Sequence, residues 1–169
     1  MQINQQIAKH LRDVYFGGNW TSVNLKDVLK DVSWQQATTQ VYDFNTIATL
    51  VNHMAYYVTE VTKVLHGNPL LAKDALSFAH PPIQSQKDWE DFLNRIWDEA
   101  TQFATLIETL PDDIMDKPFT DEKYGNYFRN LTGITEHLHY HLGQIVLIKK
   151  ILNRQGPSDA SSSSNSMEP

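Results

Sequence analysis

Apolar residues recur at three- and four-residue steps through most of the chain, the repeat expected of helices that bury one face. Over about residues 2 to 16, Ile3, Ile7, Leu11, Val14 and Tyr15 follow that rhythm, and Gly17-Gly18-Asn19 breaks it. Short helical pieces are predicted around Leu25 to Leu29 and from Ser33 to Thr38. A second long helix is predicted from about Phe44 to Leu65, capped by Asn45 or Thr46 and stopped by "HGNP" at 66 to 69. Its stripe is Ile47, Leu50, Val51, Met54, Val58 and Val61. Residues 67 to 86, with Asn68-Pro69 and Pro81-Pro82, read as a loop.

The third long helix is expected from Ser85 or Asp88 to about Thr109, with Trp89, Phe92, Ile96, Phe103, Leu106 and Leu110 inward. Pro111-Asp112-Asp113 ends it, and a fourth runs from about Asn126 to Leu152. No segment alternates as a paired strand would, and no internal repeat is present. The prediction is an all-α protein, a four-helix bundle with short extra helical turns between its first and second long helices.

Composition narrows the chemistry. The 169 residues suit one domain, expected over 1–155, followed by a Ser-rich tail at 156–169 with too few apolar groups to offset its ordering entropy. No apolar run approaches the roughly 20 residues of a membrane span, and the first residues lack a secretion signal, so a cytoplasmic protein with no membrane partner is expected. The absence of cysteine excludes disulfides, thiolate metal sites and a cysteine nucleophile. A net charge of -6 argues against a nucleic-acid partner, which needs clustered Lys and Arg.

Candidate chemistry lies in "EHLHYHLGQI", residues 136 to 145, where histidines alternate inside a helical pattern. At about 100° per residue, with His137 at zero, Ile134, Leu138, Ile145, Ile148, Leu131 and Leu152 fall between about 20° and 120°. His141, near 40°, lies within that stripe, His137 at its border and His139 near 200°, on the far side. His137 and His141 are an i, i+4 pair whose Cβ atoms stand roughly 5–6 Å apart, close enough to share one ion. A third ligand must come from another element, and His53, at the border of the second long helix, is a candidate. The same pattern also suits packed histidines bonded to carbonyls or water, and the wheel does not choose between the two. His10, His66 and His80 have no spacing partner, and Glu60 and Glu136 are expected in solvent.

These residues resemble a known family. "HLHYHLGQIVLIKK" is similar to the HxxYHxGQI segment of the DinB-like/YfiT-like metal-binding four-helix bundles, and "GGNWTSVNLKDVLKDVSWQQA", "NTIATLVNHMAYY" and "VLHGNP" resemble its N-terminal half. The likeness spans about residues 1 to 153. It implies three metal positions at His53, His137 and His141, the set the wheel selects. The family shares only a label with the DNA polymerase called DinB. Some relatives are thiol-dependent transferases or isomerases using mycothiol or bacillithiol, and one branch resembles a metal-dependent hydrolase.

Three neutral imidazoles leave a divalent ion an open position, the pattern of catalytic rather than structural sites. Such an ion lowers the pKa of water toward about 7 or activates a thiolate. Zn is the first choice, with Ni or Fe the alternatives, because imidazole serves all three. Gln144 is placed either to orient a ligand or bound water or simply to sit as a polar residue at a helix-helix border, Tyr57 to line the same cavity, and Tyr140 to contact a substrate or pack. The expected function is a metalloenzyme acting on a small molecule by hydrolysis or thiol transfer, with a low-molecular-weight thiol as one candidate partner. The alternatives are a non-catalytic metal- or ligand-binding helical bundle and a purely structural one. The resemblance also implies a homodimer, for which some of Trp20, Trp34, Trp89 and Trp97 would serve.

Overall fold

A computed structural model describes residues 1–154, and the expected tail lies outside the described residues. The described chain is all-helical: α1 (Ile3–Phe16), α2 (Leu25–Leu29), α3 (Trp34–Thr38), α4 (Ile47–Leu65), α5 (Asp74–Ser77), α6 (Gln86–Thr109) and α7 (Tyr127–Arg154). Two 3-10 turns, Asp112–Ile114 and Glu122–Tyr124, link α6 to α7. Among the described residues there is no strand beyond one isolated bridge, Pro118 with Asn126. No helix there is long and apolar enough to cross a membrane.

The elements start and stop where local chemistry requires. The Oγ1 of Thr46 accepts from the amide of Thr49, the Oγ of Ser85 from that of Asp88 and the Oγ of Ser33 from that of Gln36, each satisfying a free donor of the first turn. After α1 the chain reverses through Gly17 and Gly18 at φ +108° and +104°, a region closed to most side chains. The four long helices form a cycle of contacts, with α1 and α4 each packing against both α6 and α7. α2 rests on α1, α3 on α4 and α6, and α5 on α4. Buried Asn4 closes one end, donating from Nδ2 to the carbonyls of Glu108 and Leu110 at 2.8 and 2.7 Å.

Every residue of the α4 stripe is buried, Ile47 to Val61. On α6 the inward row turns slightly from expectation. Ile107, Ala100 and Ala104 are buried, while Leu106 and Leu110 are only partly so. The two alanines let neighbouring backbones approach, and a count of large apolar residues overlooks them. On α7, Thr135 and Leu142 join the buried face, because α7 meets α1 on that flank as well as α4. The tryptophans divide. Trp89 is buried, Trp34 and Trp97 pack partly buried against the core, and Trp20 is 98% exposed.

Candidate metal centre

α4 and α7 run side by side and bring His53, His137 and His141 together. His137 Nε2 lies 3.1 Å from His53 Nε2 and 3.0 Å from His141 Nε2, and one nitrogen from each ring falls within 4.8 Å of the others. His53 and His141 are buried and His137 is half-buried at the margin, as the helical wheel predicts for a border position. His139 is separate, its Nδ1 3.1 Å from the Thr135 carbonyl and its ring against His10 at 5.8 Å.

Neighbours set the tautomers. The Oγ–H of Ser77 donates to the Asp74 carbonyl at 2.6 Å, so at 2.6 Å from His53 that oxygen can only accept, and Nδ1 of His53 carries the proton. His141 Nδ1–H donates to Oε1 of Gln144 at 2.7 Å. Both rings therefore present an Nε2 lone pair to His137 Nε2, and one proton there could satisfy only one of them. This donor set fits a divalent cation. Zinc at about 2.0–2.1 Å from each nitrogen places tetrahedral ligands about 3.3 Å apart, near the 3.1 and 3.0 Å that separate His137 Nε2 from the other two. Gln144 thus lies within hydrogen-bond reach of His141. Tyr57 meets the His137 ring edge-to-face at 5.0 Å, and Tyr140, 65% exposed, packs edge-on to His141 at 4.8 Å.

Segment 73–79, read from sequence as plain loop, contains α5 and completes the centre. Four residues of α4 hold it. Asn52 donates to the Ser77 carbonyl, His53 to the Ser77 hydroxyl and Tyr57 to Oδ1 of Asp74, while the Tyr56 hydroxyl accepts from the Lys73 amide. Phe78 stacks on His53 with centroids 4.3 Å apart. Four residues carry no periodicity. The usable signal was the polar set Asn52, Tyr56 and Tyr57 flanking the His53 stripe, which needed partners. Glu60, expected in solvent, is 8% exposed and paired with Lys63 at 2.6 Å. It lies seven residues from His53, two turns along the same face. Ser77→Ala removes the acceptor that fixes the His53 tautomer and is expected to lower zinc affinity about 10–100-fold. Competition with a chelating dye measures it, and unchanged affinity would refute the role.

Burial, then the neighbouring His141, pushes His137 down to about 4, and the same two causes lower His53, with Asp74 opposing both. Burial and Asp74 push Tyr57 up to about 12. In metal-free protein, the folded state therefore binds fewer protons than the unfolded state between about pH 4 and 6.5. Its stability is complete above about 6.5 and falls as pH drops through that window. Thermal melts of chelator-treated protein at stepped pH test this, and a flat profile across the window contradicts it.

Comparison of the chain with protein-family models, with curated proteins and with solved structures finds no match.

Proposed function

We propose that the chain is a four-helix bundle of the DinB-like/YfiT-like kind and a small-molecule metalloenzyme, with Zn, or else Ni or Fe, held by His53, His137 and His141. The observation that carries this is the convergence of three imidazole nitrogens whose outer partners, Ser77 and Gln144, leave lone pairs facing inward. A divalent ion there supplies a Lewis acid with an open position, suited to hydrolysis or thiol transfer. The chain's own residues shape access. His137 and Tyr57 line a cleft of about 940 Å³, the size of a small-molecule site. Phe78 and the bonded segment 73–79 cover His53. Elemental analysis of purified protein, followed by turnover assays on amides, esters and thiol acceptors with and without added metal, tests the reading. Metal-dependent turnover supports it, and protein that binds no divalent ion ends it.

A second reading, a metal- or ligand-binding bundle without turnover, draws on the engagement of two cleft carboxylates: Glu60 is tied to Lys63 and Asp74 to the Tyr57 hydroxyl. Metal binding with no turnover across the panel favours it. The homodimer belongs to the proposal too, supported by the exposed apolar side chains of Tyr42, Phe44, Tyr140 and Leu147, and sedimentation at the mass of one chain removes it.

A further inference from the structure

The cleft that shares Tyr57 and His137 with the metal centre is also lined by Glu60, Asp74, Glu136 and Arg129. Glu60 and Asp74 are engaged by Lys63 and Tyr57, whereas Glu136 and Arg129 have no ion-pair partner among the described residues. Arg12 and Arg95, by contrast, are matched with Glu108 and Glu99. Glu136 adjoins His137, and Arg129 precedes it by seven residues, about 10 Å along the α7 axis. Arg129 leans still further from the histidines. Its Cδ would stand 2.7 Å from a Cβ at Gly125, which sits at φ +77°, so the missing side chain at Gly125 gives the arginine its path. Without a bound ion the cleft is therefore negative near the histidines and positive at the far end, and the exposed rings of Tyr124 and Phe128 add aromatic surface to it.

We infer that this cleft takes a small organic acid. Its anionic group meets Arg129, its apolar part lies on the aromatic wall, and its uncharged end reaches the histidines. The guanidinium offers a carboxylate a paired, charge-assisted contact. In the metal-free chain Glu136 and Asp74 disfavour an anion at the opposite end, and with a divalent ion bound they offset its charge, so Arg129 stays the uncompensated cation of the cleft and sets the ligand's direction. Aromatic side chains supply area without a directional demand, which leaves the acid group to fix the pose. The inference rests on the proposed metal centre only for what happens at the uncharged end.

The test uses 4-phenylbutyrate and its uncharged amide, titrated calorimetrically into the full chain with and without zinc. The acid is expected to bind at least about tenfold tighter than the amide. Arg129→Gln should remove that preference, Arg129→Lys should keep part of it, and Glu136→Gln should strengthen it. Equal binding of acid and amide to the unaltered chain, or binding of neither, overturns the inference. So does a preference that survives in Arg129→Gln, because the carboxylate would then sit on the ion instead. Zinc content is measured separately for each protein. A chain that holds no zinc yet shows the Arg129-dependent preference ends the metal-centre reading and upholds the cleft assignment.

Discussion

Alanine at His137 is expected to remove divalent-ion binding at the proposed centre, lowering affinity by well over about 100-fold, while alanine at His139 should leave it unchanged. Loss of an outer partner costs about 10–100-fold, and loss of a ligand exceeds that. His137 is the vertex of the cluster, within 3.1 Å of both other rings, so its removal leaves two nitrogens on separate helices with nothing between them. His139 bonds the Thr135 carbonyl and touches none of the three. Neither change empties a core, because both side chains are partly exposed and alanine is a good helix former. The effect also appears in stability. With zinc at about 100 times its dissociation constant, the unaltered protein and His139→Ala gain about 2.7 kcal/mol, and His137→Ala gains almost none. Dialysis with elemental analysis and zinc-dependent melting read the two quantities independently. Equal loss from both variants would refute the three-histidine assignment.

The histidines were legible because a helix converts spacing into direction. His137, His139 and His141 look equivalent as an alternating row. The 3.6-residue repeat puts two on the face toward α4 and sends the third toward α1, where His10 waits. His53 was legible for the same reason, at the edge of a stripe that is buried throughout. Where expectations and structure part, the cause is long-range or short-element chemistry. Ser77 and Phe78 lie 24 and 25 residues from His53 in a segment too short for any period, and only the hydrogen bonds from α4 give it a place. Glu60 reads as a solvated acid on α4 until its position two turns beyond His53 is combined with the neighbouring Lys63. On α6, Ile107 rather than Leu106 points inward, since side chains on adjacent positions differ by about 100° and one large residue reads like the next in sequence.

Trp89 ties the short helices to the core, so the fold is sensitive to its loss. It is 1% exposed, stacks against Phe92 at 5.7 Å, and donates from Nε1 to the Val32 carbonyl at 2.9 Å, fastening the α2–α3 connection to α6. Trp89→Ala removes the ring and leaves that carbonyl without its donor, so a loss of about 3–5 kcal/mol is expected. Domains of this size hold roughly 5–15 kcal/mol in all, and melting should fall by roughly 6–20 °C. Trp89→Phe weighs the hydrogen bond more directly: it keeps an aromatic ring in the core, removes only part of the indole's volume, and orphans the carbonyl for about 1–3 kcal/mol. The histidines sit on α4 and α7, away from this contact, so the folded fraction of either variant should bind zinc with the affinity of the unaltered chain. Denaturant unfolding compares the two, and a Trp89→Ala protein within about 0.5 kcal/mol of the unaltered one would show that the indole is not what joins α6 to the short helices.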